Sequence, residues 1–248
     1  MKDFLIALSF LTRIPVSKKL VIDDKTLSRS MRFFPIVGFV LGAILVLAWH
    51  ILTPLLPERL VSLILILLLT LLTGAMHLDG FADTIDGLCS KAKSKEEILQ
   101  IMRDSRIGAM GVIGLILLFL LKWEALNNIT PRLKEAALIL MCTASRWSQV
   151  FSAHFSGYAR DTAGLGKPFI GTTRKMDFNF ATIFIIPLFL MFLFLKGLIA
   201  LAILAAVVWG LVKYINKRIG GMTGDTIGAI SELVEITVLM TVLILGKI

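Results

Sequence analysis

Several stretches of this chain are apolar for about 20 residues, which is the length that an α-helix needs to cross a lipid bilayer. They lie at about 33–53, 58–76, 107–126, 134–153, 179–195, 197–215 and 226–245. In hydrocarbon every backbone N–H and C=O group must be bonded within the protein, and a helix achieves this inside each segment. The sequence therefore predicts an all-α fold, a polytopic transmembrane helical bundle with about seven spans. We expect residues 1–248 to form a single integral membrane domain.

Positive charge is distributed unevenly among the segments between these spans. If the N-terminus is cytoplasmic, the inner segments hold most of the lysines and arginines, including Lys18 and Lys19. Cytoplasmic loops of membrane proteins carry such an excess. The sequence therefore predicts a cytoplasmic N-terminus, and it places segments 77–106, 154–178 and 216–225 together on the cytoplasmic side.

The formal net charge of +9 has two interpretations. It fits the topology and attraction to anionic lipid headgroups, and it also suits a polyphosphate substrate. Nucleic acid is not an expected partner, because the basic loops lack interleaved aromatic residues. The lipid bilayer and a phosphorylated small molecule are the partners that the charge predicts.

The segment HLDGFADTIDG (77–87) follows the second apolar stretch directly. On a helix Asp79, Asp83 and Asp86 lie within roughly 60° of one another. Carboxylates at the edge of a bilayer are costly, and a cluster of them suits a hard divalent cation. A capped helix start with a solvated acidic face is the alternative. Gly87 removes side-chain bulk where a phosphate or another backbone approaches closely.

The segment RDSR (103–106) comes just before the third apolar stretch. The guanidinium groups of Arg103 and Arg106 match phosphate oxygens, although they also suit anchoring at the headgroups. Asp104 is a candidate metal ligand or base. The segment therefore predicts a phosphate-binding element.

A third acidic motif begins at Gly224 and enters the last apolar stretch. Asp225 and Glu232 nearly superpose on a helical wheel, and Glu235 lies about 80° away. Glutamates inside a spanning segment indicate a role facing the site, unless they are protonated or paired with Arg146. The backbone N–H groups near Gly224 suit phosphate binding, and a plain turn is the alternative.

Four motifs in this order resemble the cobalamin-5'-phosphate synthase family, also called adenosylcobinamide-GDP ribazoletransferase. They are FLTRIP (10–15), HLDGFADTIDG (77–87), DSRIGAMG (104–111) and GDTIGA (224–229), the last followed by Glu232 and Glu235. The resemblance covers nearly the whole chain. It implies a transferase of the cell inner membrane, with its active site facing the cytoplasm, that acts late in cobalamin biosynthesis. In that family the cobinamide phosphate moves from adenosylcobinamide-GDP to α-ribazole or its 5'-phosphate, with Mg²⁺, and GMP is released.

The residues and the resemblance together predict roles for individual positions. The expected metal ligands are Asp79, Asp83, Asp86, Asp104 and Glu232. The expected catalytic residues are Asp83, Asp86, Asp104 and Asp225, with Asp104 or Asp225 accepting the proton of the attacking hydroxyl. The expected substrate-binding residues are His77, Arg103, Arg106, Arg13, Gly87 and Gly224.

Two other functions stay open at this point. DTIDG (83–87) matches the start of the signature of CDP-alcohol phosphotransferases, but the later residues of that signature are missing here. A cation transporter would also use acids at membrane depth, yet the acids of this chain concentrate on one predicted face. A homo-oligomer or a complex with other cobalamin-pathway proteins is compatible with catalysis.

Overall fold

The computed structural model describes residues 2–16, 23–162 and 164–247, so Lys18 and Lys19 lie outside the described residues. A short 3-10 turn, Met31–Phe33, joins the second and third α-helices. No β-strand forms within the described ranges. The α-helices are, in order, α1 (Lys2–Leu11), α2 (Asp24–Ser30), α3 (Phe34–Leu52), α4 (Glu58–Thr73), α5 (Met76–Leu88), α6 (Lys95–Ile101), α7 (Ala109–Asn128), α8 (Pro131–His154), α9 (Lys175–Leu193), α10 (Lys196–Ile219) and α11 (Gly224–Leu245).

The helices confirm the predicted all-α membrane bundle. By length and composition five helical segments can cross a membrane, and α4 with α5 makes a sixth if the bent pair is one span. The remaining predicted span, 134–153, corresponds to α8, whose 24 residues extend about 36 Å. This helix is less apolar than the other predicted spans because it contacts protein rather than lipid.

Helix α8 occupies the centre of the bundle. Every residue from 136 to 153 is buried, and the helix packs against α3, α9, α10 and α11. Its sequence is rich in alanine, serine and threonine, small residues that allow neighbouring helices to approach closely in a membrane. The low hydropathy of α8 therefore follows from its interior position.

A Gly-x-x-x-Gly pattern on α3 sets its distance from α8. A Cβ atom at Gly38 would overlap the carbonyl oxygen of Cys142 and lie 2.8 Å from the Cα of Thr143. A Cβ atom at Gly42 would lie 2.6 Å from the Cα of Ile139. These glycines bring two backbones into direct contact, which is a common way of joining helices in lipid, where the hydrophobic effect does not drive association.

A sharp bend separates α4 from α5. The two helix axes differ by 93°, and the turn uses left-handed conformations at Gly74 (φ +65°) and Ala75 (φ +59°). The side chain of Arg13 lies against Gly74, and its backbone N–H donates to the carbonyl of Leu72 at 2.7 Å. The second predicted span therefore ends at Thr73, and the acidic motif forms a separate helix that turns away from it.

The predicted inner segments meet at one end of the bundle. Tyr158 and Met222 form an isolated parallel β-bridge, and the Arg160 side chain pairs with Asp225. Arg103, from the segment after α6, donates a hydrogen bond to Thr162. The segments that carry the sequence motifs thus lie in one continuous region.

Replacing Gly38 with alanine is expected to destabilise the bundle, because the new methyl group must push α3 away from α8. We expect the free energy of unfolding to fall by about 1–3 kcal/mol. Gly210→Ala is the matched control, since no atom lies within 4 Å of a Cβ at that helical position. There alanine should be neutral or stabilising by about 1 kcal/mol. Thermal unfolding in detergent micelles measures both, and equal melting temperatures would contradict the close packing of α3 on α8.

Candidate active site

Helices α5 and α11 cross at the same end of the bundle with almost no side chain between their backbones. A Cβ atom at Gly80 would lie 2.7 Å from the Cα of Asp225, and one at Gly228 would lie 3.2 Å from the Cα of His77. The crossing joins the first acidic motif to the third. It brings the charges of Asp79 and Asp225 close enough to act on the carboxyl group of Asp83. We call Asp79, Asp83 and Asp225 the acidic cluster.

The members of the acidic cluster differ in their protein contacts. Asp79 is exposed and Asp83 is half-buried, and neither carboxylate accepts a hydrogen bond from another described residue. Asp225 is held in place, because its Oδ2 accepts from Arg160 Nη2 at 2.8 Å and from Thr223 Oγ1 at 3.2 Å. Two carboxylates are therefore available to a ligand, and the third keeps its Oδ1 oxygen available.

Asp86 has a different role from the one that its motif suggested. Its carboxylate accepts the backbone N–H groups of Gly108 at 2.7 Å and Gly111 at 2.8 Å. These groups belong to the start of α7, where a negative charge is favourable. A Cβ atom at either glycine would collide with the carboxylate. The structure therefore gives Asp86 a capping role at α7 that the sequence did not predict, and its expected metal-ligand and catalytic roles stay predictions.

Asp104 and Arg106 pair with each other at the surface. Arg106 Nη2 lies 2.6 Å from Asp104 Oδ2, and the Arg106 backbone N–H donates to Oδ1 at 3.0 Å. The hydrogen bonds from Arg106 lower the pKa of the Asp104 carboxyl to about 2. Such a carboxylate is a poor proton acceptor, and it lies outside the acidic cluster. The expected roles of Asp104 as metal ligand and base are not supported by this position.

Glu232 and Glu235 belong to a buried ionic network inside the bundle. Lys122 Nζ contacts Glu232 and lies 2.7 Å from Glu235 Oε2, and Arg146 Nη1 lies 2.7 Å from Glu235 Oε1. All four residues are at most 5% exposed. Glu232 is therefore balanced by a lysine, not placed to bind a metal with the acidic cluster. Glu235 forms an ion pair with Arg146, which was one of the alternatives that the sequence left open.

Lys122, the partner of both glutamates, was not predicted from the sequence. Its position inside the apolar stretch 107–126 was the available signal, since a lysine at membrane depth is costly unless it is paired.

A cavity of about 130 Å³ lies beside the acidic cluster. One wall comes from α5, α8 and α11, and the other comes from α1, the 3-10 turn, α3 and residues 164–170. The polar side chains of the first wall are His77, Asp79, Gln149 and Asp225, and the apolar side chains of the second wall are Phe10, Met31, Phe34, Leu165 and Phe169. Gln149, which the sequence did not single out, forms a 2.8 Å hydrogen bond with His77.

The remaining predicted substrate-binding residues separate into two groups. His77 and Gly224 line the cavity. Arg13 lies against the bend between α4 and α5, and Gly87 packs against α6, where a Cβ atom would lie 2.5 Å from Met102 Cγ. Arg103 donates to Thr162, two residues after the Arg160 that pairs with Asp225, whereas Arg106 is occupied by Asp104. The cavity and the acidic cluster together form the candidate active site.

Comparisons with known proteins agree along the whole chain. Residues 3–243 match the family model described as cobalamin-5-phosphate synthase. A Geotalea daltonii protein named adenosylcobinamide-GDP ribazoletransferase is 39% identical over 243 residues, which cover 98% of this chain and 97% of that protein. A Thermoanaerobacter pseudethanolicus protein of the same name is also 39% identical, over 96% of each chain. No solved structure matches this chain.

Asp86→Ala is expected to lower stability, because the N–H groups of Gly108 and Gly111 lose their acceptor. A loss of about 1–3 kcal/mol is expected from a helix cap and a partly buried charged hydrogen bond. Asp79→Ala is the matched control, since it removes an exposed carboxylate of the same helix that has no partner among the described residues. A thermal shift measurement compares them. If Asp79→Ala is as destabilising as Asp86→Ala, the capping role is wrong.

Lys122→Met is expected to be strongly destabilising, because it leaves two buried glutamates with one cation. Breaking such a buried pair typically costs about 3–5 kcal/mol. The double variant Lys122→Met/Glu232→Gln should regain part of that stability, since it also removes the unbalanced charge. A double-mutant cycle on melting temperature tests this, and strictly additive losses would contradict the pairing.

Proposed function

This chain belongs to the cobalamin-5-phosphate synthase family, and we propose that it is an adenosylcobinamide-GDP ribazoletransferase. It transfers the adenosylcobinamide phosphate group from adenosylcobinamide-GDP to α-ribazole or α-ribazole 5'-phosphate and releases GMP, late in cobalamin biosynthesis. The observation that carries this proposal is the acidic cluster beside a cavity of about 130 Å³, at the end of the bundle where the motifs meet. The excess of lysine and arginine there supports a cytoplasmic orientation in the inner membrane.

The proposed reaction is a displacement at phosphorus. A hydroxyl oxygen of the ribazole forms a bond to the phosphorus that carries cobinamide, and the bond from that phosphorus to the bridging anhydride oxygen breaks. The bridging oxygen leaves as part of GMP, and the hydroxyl proton passes to a base. We assign the base to Asp225, because this residue lines the cavity, and Arg160 and Thr223 both contact Oδ2 and leave Oδ1 without a partner among the described residues.

The residues present fit a magnesium ion that is shared with the substrate. The described residues contain no group of three or more histidine, cysteine or acidic side chains positioned to hold a metal alone. Mg²⁺ is usually held by one or two carboxylates together with substrate phosphates and water. Asp79 and Asp83 lie one turn apart on α5 and fit that pattern. When bound, the ion supplies positive charge that stabilises the transferred phosphoryl group and the departing GMP.

Cationic side chains complete the proposed site. Arg160 is largely buried between Asp225 and its own loop, with 14% of its side chain exposed, and its Nε has no partner among the described residues. Arg103 contacts Thr162, close to Arg160 in the same segment. Phosphoryl transfer depends mainly on positioning and charge stabilisation, which guanidinium groups provide to phosphate oxygens. Arg160 and Arg103 are therefore the proposed phosphate contacts.

The purified protein is expected to release GMP from adenosylcobinamide-GDP when α-ribazole and Mg²⁺ are present, with one cobalamin product per GMP. EDTA should abolish both products. GMP release without a cobalamin product would indicate hydrolysis and contradict the transferase assignment. Equal rates in Mg²⁺ and EDTA would contradict the role proposed for Asp79 and Asp83 and leave the transferase assignment standing.

Asp83→Asn is expected to lower kcat by about 10²–10³-fold, because it removes a charge that stabilises the transition state through the bound ion. Glu96→Gln is the matched control, since Glu96 is an exposed acid on α6, away from the cavity. Both variants should insert in the membrane and melt like the unchanged protein. An Asp83→Asn protein that is folded and fully active would overturn the proposed role of Asp83.

A further inference from the structure

Three aromatic rings from distant parts of the chain meet at the cavity. The ring centroids of Phe10 and Phe169 are 4.7 Å apart, and those of Phe34 and Phe169 are 5.7 Å apart. Phe10 and Phe34 are stacked, with an interplanar angle of 17° and a centroid distance of 6.1 Å. We call Phe10, Phe34 and Phe169 the aromatic wall. It gives one side of the cavity a continuous apolar surface.

The opposite wall offers a hydrogen-bond donor that the protein does not use. The side-chain nitrogen of Gln149 can only donate, so His77 Nε2, 2.8 Å away, accepts. The proton of the neutral His77 ring is then on Nδ1. This atom is buried and has no partner among the described residues, although an unpaired buried donor costs free energy. His77 lines the cavity and is 5% exposed, so a ligand there is the available acceptor.

The size of the cavity restricts what it can hold. Its volume of about 130 Å³ is close to that of an engineered protein cavity of about 150 Å³ that binds benzene. A small planar ring system fits this space, whereas a corrin macrocycle does not. Aromatic side chains favour the flat face of a base, and a base on such a surface gains stacking energy.

We propose that this cavity binds the heteroaromatic base of the nucleoside acceptor. The base lies against the aromatic wall, and His77 Nδ1–H donates to its ring nitrogen. The ribose then lies toward Asp79 and Asp225, where the attacking hydroxyl meets Asp225, the proposed proton acceptor. This subsite rests on the proposed function, because it names the part of the site that takes the acceptor. Guanine, the other planar base in the reaction, is the competing occupant.

Steady-state kinetics with Phe10→Leu tests the aromatic wall. Leucine keeps an apolar, somewhat smaller side chain at this half-buried position and removes the ring. We expect the KM for α-ribazole to rise about tenfold, as loss of a stacking partner predicts, while the KM for adenosylcobinamide-GDP is unchanged. Phe39→Leu is the matched control, because Phe39 pairs with Phe184 away from the cavity. A rise in the KM for adenosylcobinamide-GDP instead, or no change in either KM, would overturn the subsite.

A direct measurement of α-ribazole binding tests the base-binding subsite independently of the proposed transferase reaction. Calorimetry with α-ribazole needs no turnover, and we expect binding to the unchanged protein and about tenfold weaker binding to Phe10→Leu. Binding without turnover would remove the proposed transferase function and keep the subsite. Turnover with an unchanged α-ribazole affinity in Phe10→Leu would remove the subsite and keep the function.

A comparison of two inhibitors tests the His77 contact without relying on any variant. Benzimidazole has the ring nitrogen that accepts from His77, and indole, of nearly the same shape, lacks it. Against α-ribazole, benzimidazole is expected to compete about tenfold better than indole, which corresponds to one hydrogen bond from a buried donor. Equal inhibition by the two compounds would overturn the His77 contact. Inhibition competitive with adenosylcobinamide-GDP alone would assign the cavity to guanine.

Discussion

Where α5 crosses α11, the backbones meet at Gly80 and Gly228 without side chains between them, and the candidate site depends on that contact. Contacts at both ends of α5 fix its position. The left-handed turn at Gly74 and Ala75 sets the direction in which α5 begins, and the hydrogen bonds that Asp86 accepts connect its other end to the start of α7. A side chain at the crossing would separate the first acidic motif from the third, and the acidic cluster would no longer form.

Ion pairs buried inside the bundle fix the position of α11 along α7 and α8. Lys122 on α7, Arg146 on α8 and the two glutamates of α11 are buried together. Removing such charges from water is costly, and only a complete set of partners offsets that cost. Sliding α11 along α7 or α8 would break the set, so the network fixes where α11 begins and thus where Asp225 lies. Because Glu232 and Glu235 are neutralised by these cations, a structural role suits them better than a pathway for cation transport.

Local patterns predicted the helices well, whereas the partners of individual side chains depended on how the helices cross. Hydropathy located the spans, and helical spacing placed Asp79 and Asp83 on one face. The same spacing gave no sign that Asp86 would accept N–H groups from Gly108 and Gly111, more than 20 residues later in the chain. Phe10, Phe169 and Gln149 meet only through tertiary packing, so no short motif could have identified the cavity. The Gly-x-x-x-Gly pattern of Gly38 and Gly42 could have predicted close helix packing from the sequence alone.

The division of the acids between paired and free supports the proposal that a cation binds at this site. Asp86, Asp104, Glu232 and Glu235 each have protein donors or cations, whereas Asp79 and Asp83 have none among the described residues. Arg160 balances only Asp225, which leaves the acidic cluster with excess negative charge. A polyphosphate substrate is itself negative, and like charges a few ångströms apart repel strongly where water is partly excluded. A divalent cation held by Asp79 and Asp83 would offset this repulsion, so the charges that the fold leaves unpaired support the proposed metal requirement.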